Sequence, residues 1–145
     1  MVENKVADIF QASRKSSLPL PIFLANVQAG FPSPAEDYLD KTLDLNELLI
    51  AHPAATFFVR VSGDSMCDAG ISSGDVLVVD RSIAANDGSI IIAILNGEFT
   101  AKRLVKKGEK ILLAPENPAY PMMEIREESD FQVWGVVTYV IHKAR

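Results

Sequence analysis

The chain has 145 residues, 48% hydrophobic and 23% charged, enough apolar material for one packed domain and too much for a disordered chain. Nineteen acidic against 14 basic residues leave a net charge of -5, which argues against a surface built mainly to hold DNA phosphates. The single cysteine, Cys67, excludes an internal disulfide, and with only His52 and His142 beside it no zinc cluster is expected, so neither a metal nor a cofactor is predicted.

Residues 1–42 mix Ser-rich and Pro-rich patches, Ser13 to Pro21 and Phe31 to Pro34, without a sustained helical or strand period. They read as an N-terminal arm ahead of a β domain over residues 43–145. Arg14-Lys15 followed by Leu18 to Val27, with Val27 and Ala29 at small-residue positions, has the outline of a signal peptide. Pro19 and Pro21 break the apolar helix that such a peptide needs, Asn26 interrupts it, and Glu3 and Asp8 dilute its positive front. The longest apolar run, Ile90 to Leu95, falls far short of the roughly 20 residues that cross a bilayer. A cytoplasmic chain without membrane contact is the expectation. Pro32 and Pro34 push Phe31 and Ser33 out of the helical region, so Ala29 to Pro34 should run extended, the form in which a protease cleft accepts a chain.

Asp44 with Glu47 three residues on resembles a capping box, and Leu45, Leu48 and Leu49 make one apolar stripe before Pro53, so a short helix is predicted over residues 44–51. From there the pattern turns to β. Thr56 to Val61 alternates, with Phe57, Val59 and Val61 on one face, and Val76 to Val79 is an apolar run bounded by Gly74-Asp75 and Asp80-Arg81. Ile90 to Leu95 and Glu98 to Val105 flank Asn96-Gly97, a dipeptide that supplies the two positive φ angles of a tight hairpin. Lys107-Gly108 marks a second turn into Ile111 to Leu113, and Phe131 to Ile141 reads as a long closing strand. The fold class is mainly β: a compact, strongly curved antiparallel sheet or partial barrel with one short helix. The pair Phe57 and Phe58 and the single Trp134 are expected in the core.

Chemistry concentrates at Ser62-Gly63-Asp64-Ser65-Met66, directly after a strand, where the glycine and a tight turn are expected to expose Ser65. A serine hydroxyl needs a neighbouring base, usually histidine. His52 sits beside a proline at a helix end and His142 lies near the C-terminus, so neither is well placed. A lysine can replace histidine when its amine is neutral, and burial disfavours the ammonium, so such a site costs stability. Lys102, within Phe99-Thr100-Ala101-Lys102-Arg103-Leu104 on the hairpin, has small and apolar neighbours, although it also belongs to the basic run that includes Arg103, Lys106, Lys107 and Lys110. Cys67 is expected to be a small buried hydrophobe, since no histidine is placed to activate its thiol.

These strings, taken with Gly30-Phe31-Pro32-Ser33-Pro34, Asp44-Leu45-Asn46, Leu48-Leu49-Ile50, His52-Pro53 and Trp134-Gly135-Val136-Val137, resemble the LexA/UmuD family of self-cleaving Ser/Lys peptidases from about Val27 to His142. The first seventeen residues carry no motif of that family. The resemblance implies Ser65 as nucleophile, Lys102 as general base and later general acid, Ala29-Gly30 as the scissile bond, and backbone N–H groups of Ser65 and Met66 as an oxyanion hole of about 3 to 4 kcal/mol. The residues agree with this in that Ala29 and Gly30 let their shared carbonyl approach a nucleophile closely. Tethering would raise the effective concentration enough for a weak catalyst to cut itself.

The same resemblance implies a LexA/signal-peptidase-like fold and an accessory subunit of an error-prone translesion DNA polymerase in the bacterial SOS response. A RecA nucleoprotein filament would stimulate the cut. The product, residues 30–145, would act as a homodimer with a Y-family DNA polymerase subunit (UmuC-like), without sequence-specific DNA binding of its own. Alternatives are a LexA-like repressor protease domain, a signal peptidase and a catalytically silent interaction module. A repressor would need a helix-turn-helix, which residues 1–42, with several prolines, do not supply. A signal peptidase would need a membrane anchor.

Overall fold

The computed structural model describes residues 5–12, 19–23 and 39–144. Its elements run β1 (Lys5–Gln11), β2 (Pro19–Phe23), β3 (Leu39–Asp44), α1 (Leu45–Leu49), β4 (Thr56–Ser62), β5 (Val76–Asp80), β6 (Ile90–Leu95), β7 (Glu98–Lys107), β8 (Lys110–Ala114), β9 (Met123–Ile125) and β10 (Phe131–Ile141). Asn96 and Gly97 take φ of 52° and 82°, and this turn sets Leu95 opposite Glu98 and Ile91 opposite Lys102. Gly108, at φ 61°, turns β7 into β8.

Strands pair in the order β1-β4-β5-β10-β6-β7-β8-β9, all antiparallel, and β7 meets β1 again at Lys5 opposite Thr100. The pairing closes β1, β4, β5, β10, β6 and β7 into a six-stranded barrel, which removes two open sheet edges. The mainly β, strongly curved architecture expected from the sequence is therefore present, as a closed barrel rather than a partial one. β2 and β3 form a separate two-stranded sheet.

Period-2 alternation sorts the side chains into two clusters. Val59 and Val61 of β4, Leu77 and Val79 of β5, Ile92 of β6 and Ala101 of β7 pack with Met66 and Ile71, and all are at most 1% exposed. The opposite face of the β6–β8 region carries Ile91, Ala93, Leu104 and Leu113, with Val136 of β10. Two register shifts in β10, between Val133 and Gly135 and between Val137 and Tyr139, let Trp134, Val137 and Val140 all reach the first cluster, which strict alternation would forbid. Trp134 is half-buried, with ring centroids 5.2 Å from Phe57 and 5.6 Å from Phe99, and the Arg81 guanidinium 4.6 Å over it.

The expectation of an arm without strand period over residues 1–42 misses what the structure shows there. β1 pairs with β4 from Lys5 opposite Ser62 to Gln11 opposite Phe57, and β3 runs across the predicted boundary at residue 42. β1 has no alternation to read, since Ile9 and Phe10 are 38% and 53% exposed. Its extended state follows from backbone pairing with a distant strand. The helix is shorter than predicted, with Asp44 as its N-cap, where Oδ1 accepts from the N–H of Asn46 at 2.9 Å. The apolar stripe of α1 is largely uncovered among the described residues, with Leu45 and Leu48 both above 40% exposed.

Candidate active site

β4 ends at Ser62, and Gly63, with φ 97°, turns the chain so that Asp64, Ser65 and Met66 lie across the barrel end. A side chain larger than glycine is strained in that left-handed region. Met66 is 0% exposed and belongs to the barrel core. Burying such a side chain contributes roughly 1.5–3 kcal/mol, which anchors the residue next to Ser65. The Met66 carbonyl accepts N–H bonds from Ala69 at 3.0 Å and Ile71 at 3.3 Å, closing the following turn.

Ser65 is fully buried, where the sequence suggested exposure. The loop does not project its serine outward because Met66 pulls it onto the core and a second loop is bonded across it. Lys102, 6% exposed, comes from the middle of β7, and its Nζ lies 3.0 Å from Ser65 Oγ. That is a hydrogen-bonding distance and a proton-transfer distance. The two predicted reactive residues, 37 positions apart in the chain, are thus brought together. Ala29 and Gly30, expected as the scissile pair, lie outside the described residues.

A cleft of about 320 Å³ adjoins Lys102, lined by Leu95, Phe99, Thr100, Leu113, Pro121 and Met123, with Lys5 and Glu98 also on its wall. Its wall is mostly apolar.

The other candidates separate cleanly. His52 Nδ1 is 2.5 Å from Asp80 Oδ2 and His142 Nδ1 is 2.7 Å from Asp75 Oδ1, so each histidine engages a buried carboxylate at one end of β5. Burial alone pushes the Asp80 carboxyl up, but hydrogen bonds from His52 and from the N–H and Oγ of Ser82 outweigh it and hold the group below the usual carboxylate range. Cys67 is exposed, contrary to the expectation of a buried hydrophobe, because it opens the 3-10 turn Cys67–Ala69 at the barrel rim. Desolvation against that loop, then the carboxylates of Asp68 and Asp64, push its thiol above the ordinary value, which suppresses the thiolate.

Sequence reasoning did not single out the loop that grips Ser65. The N–H of Glu116 donates to the Ser65 carbonyl at 2.8 Å, and the Glu116 carbonyl accepts from Asp68 N–H at 2.8 Å. Asn117 Nδ2 donates to the Asp64 carbonyl at 2.9 Å, and Tyr120 Oη donates to Asp64 Oδ1 at 2.6 Å. The available signal was Pro115-Glu116-Asn117-Pro118, two polar residues held between prolines in a rigid loop.

Residues 21–138 match the Peptidase S24-like family. The chain is 52% identical over 125 residues to Protein SamA of Salmonella typhimurium, covering 86% of each chain. It is 46% identical over 134 residues to Protein MucA of Escherichia coli, covering 91% of each. To the LexA repressor of an Acidovorax strain it is 38% identical over 126 residues, 87% of this chain and 55% of the repressor. These likenesses bear out the resemblance drawn from the motifs, and the chain belongs to the Peptidase S24-like family.

Proposed function

We propose that this chain is a self-cleaving serine peptidase that uses Ser65 as nucleophile and Lys102 as general base to cut its own Ala29-Gly30 bond. The observation that carries this reading is the 3.0 Å approach of Lys102 Nζ to Ser65 Oγ in a buried setting. With the amine neutral, Lys102 accepts the Ser65 proton as Oγ attacks the Ala29 carbonyl, and the C–N bond to Gly30 breaks as the lysine returns that proton to the departing amine. Backbone N–H groups of Ser65 and Met66 would hold the oxyanion, and the buried Met66 side chain keeps that stretch of backbone in place. Water then releases the acyl group.

The biological role we propose is that of an accessory subunit in error-prone translesion synthesis in the SOS response. The cut would be stimulated by a RecA nucleoprotein filament, and the product, a cytoplasmic homodimer, would join a Y-family polymerase subunit. An acidic net charge of -5 fits a protein whose partners hold the DNA. The likeness to a LexA repressor favours the same dyad chemistry in a second setting, and tight sequence-specific binding in a gel-shift assay would shift the reading toward it.

The test is to incubate the purified chain at neutral pH and near pH 10 and weigh the products. A cut between Ala29 and Gly30 is expected, and Ser65→Ala and Lys102→Ala should each stop it. Intact mass at both pH values, even with RecA filament, ATP and single-stranded DNA added, overturns the reading.

A further inference from the structure

The loop after β8 does more than cover the serine, because its Glu116 contacts both Ser65 and Arg103, the residue next to Lys102. Through its backbone it holds Ser65, with its N–H on the Ser65 carbonyl and its own carbonyl on Asp68 N–H, each at 2.8 Å. Through its side chain it reaches β7, where Arg103 Nε donates to Glu116 Oε1. Arg103 is the residue after Lys102, and its Nη1 also donates to the Gly88 carbonyl at 2.5 Å, which fixes the guanidinium from a second side. The contacts make a closed circuit that runs from the Ser65 carbonyl to Glu116, from its carboxylate to Arg103, along β7 to Lys102, and from Nζ back to Ser65 Oγ at 3.0 Å.

Three features suit this circuit to setting distance rather than adding bulk stability. The Arg103 and Glu116 side chains are 32% and 30% exposed, so water can hydrate much of either group if its partner is lost. The ion pair joins the middle of β7 to the loop after β8, and the backbone of that loop carries the link on to Ser65 in the turn after β4. Arg103 lies opposite Ala114 in the β7–β8 ladder, so Glu116 follows from the end of β8 only two residues beyond that pairing. A strand register therefore dictates where the Ser65 carbonyl is held.

Resting on the reading of Ser65 and Lys102 as the dyad, we infer that Glu116 and Arg103 are positioning residues that fix the nucleophile-to-base distance. Neither touches the reacting atoms. Glu116 acts through the Ser65 backbone and Arg103 acts through Glu116.

A double-mutant cycle on the full chain tests this, with self-cleavage rates followed across the alkaline pH range and thermal midpoints measured alongside. Glu116→Ala and Arg103→Ala should each slow the cut by about 10- to 100-fold, the loss expected for a misplacement on the order of 1 Å. The double variant should be no slower than the worse single one, since either change opens the same circuit. Glu116→Gln, which keeps an acceptor for Arg103, should recover most of the rate, and the pH at which the rate levels off should stay where it is in the unchanged chain. Additive losses, wild-type rates in either alanine variant, or losses that follow the thermal midpoint and are not rescued by Glu116→Gln would overturn the inference. A crystal structure of Glu116→Ala supplies a reading that does not depend on cutting. A Ser65 Oγ to Lys102 Nζ separation lengthened beyond hydrogen-bonding distance is expected, and an unchanged 3.0 Å refutes the positioning role even if the unchanged chain proves unable to cut itself.

Discussion

Lys102 Nζ and Ser65 Oγ meet at 3.0 Å although β5, β6 and the turns around them lie between the two residues in the chain. The contact exists because two independent anchors converge. Met66 draws the serine turn onto the barrel core, and the Asn96-Gly97 turn fixes the register that puts Lys102 opposite Ile91. An amine so placed can serve a serine only when it is neutral, and the first prediction follows from that requirement.

A general base acts only when unprotonated, so the logarithm of the self-cleavage rate should climb with pH at a slope near one before levelling off. Lys102→Arg should abolish the cut at every pH in that range, because a guanidinium stays protonated. Mass spectrometry of timed samples measures both. A flat profile in the unchanged chain would mean that another group takes the proton.

Cys67 adjoins Met66 and is exposed, yet its thiol is pushed up by its loop and by Asp68 and Asp64. Cys67→Ser should leave the cut rate within about twofold, and the thiol should alkylate more slowly than a model thiol at neutral pH. Loss of cutting in Cys67→Ser, with the fold intact by circular dichroism, would instead implicate the sulfur.

Asp80 ties His52 to the end of β5 and caps Ser82. Its folded value lies below the unfolded one, so its stabilisation is complete above the ordinary carboxylate value of about 4 and disappears as pH falls through the folded value. Asp80→Asn should cost about 1.5–3 kcal/mol at neutral pH, the range for a hydrogen bond to a charged group. That cost should shrink toward acid pH. Urea unfolding followed by the fluorescence of Trp134 gives the comparison, and a cost constant from pH 7 to 3 would contradict it.

A Cβ added at Gly135 would lie 2.5 Å from Val79 Cγ1 and 3.3 Å from Arg81 Cγ. Val79 is fully buried, so the clash falls on packed core rather than on a flexible tip. Gly135→Ala should lower stability by about 1–3 kcal/mol through overpacking. The urea midpoint should fall with the slope of the transition unchanged.

Several elements were legible because the physics that makes them is local. Asn96-Gly97 specifies positive φ in the dipeptide itself, and β6 and β10 came out with the expected bounds because dense β-branched runs between turn residues have few other states. Ser65 and Lys102 could be singled out because a motif names their residue types, and the structure brings them within 3.0 Å. The grip of Glu116, Asn117 and Tyr120 on residues 64–68 was not legible, since it depends on two loops meeting across about 50 residues of chain.

Sequence alone thus determined β4 to β8, β10 and the Asn96-Gly97 hairpin, which follow from short-range stereochemistry, and it singled out Ser65 and Lys102 as candidates by residue type and motif. Only the tertiary structure decided that Lys5–Gln11 closes the barrel, that Ser65 is buried while Cys67 is exposed, and that the arginine next to Lys102 reaches the loop holding Ser65. Each of these depends on which distant backbone or side-chain groups come to lie opposite one another, and a pattern along the chain cannot encode that without the register of the folded sheet.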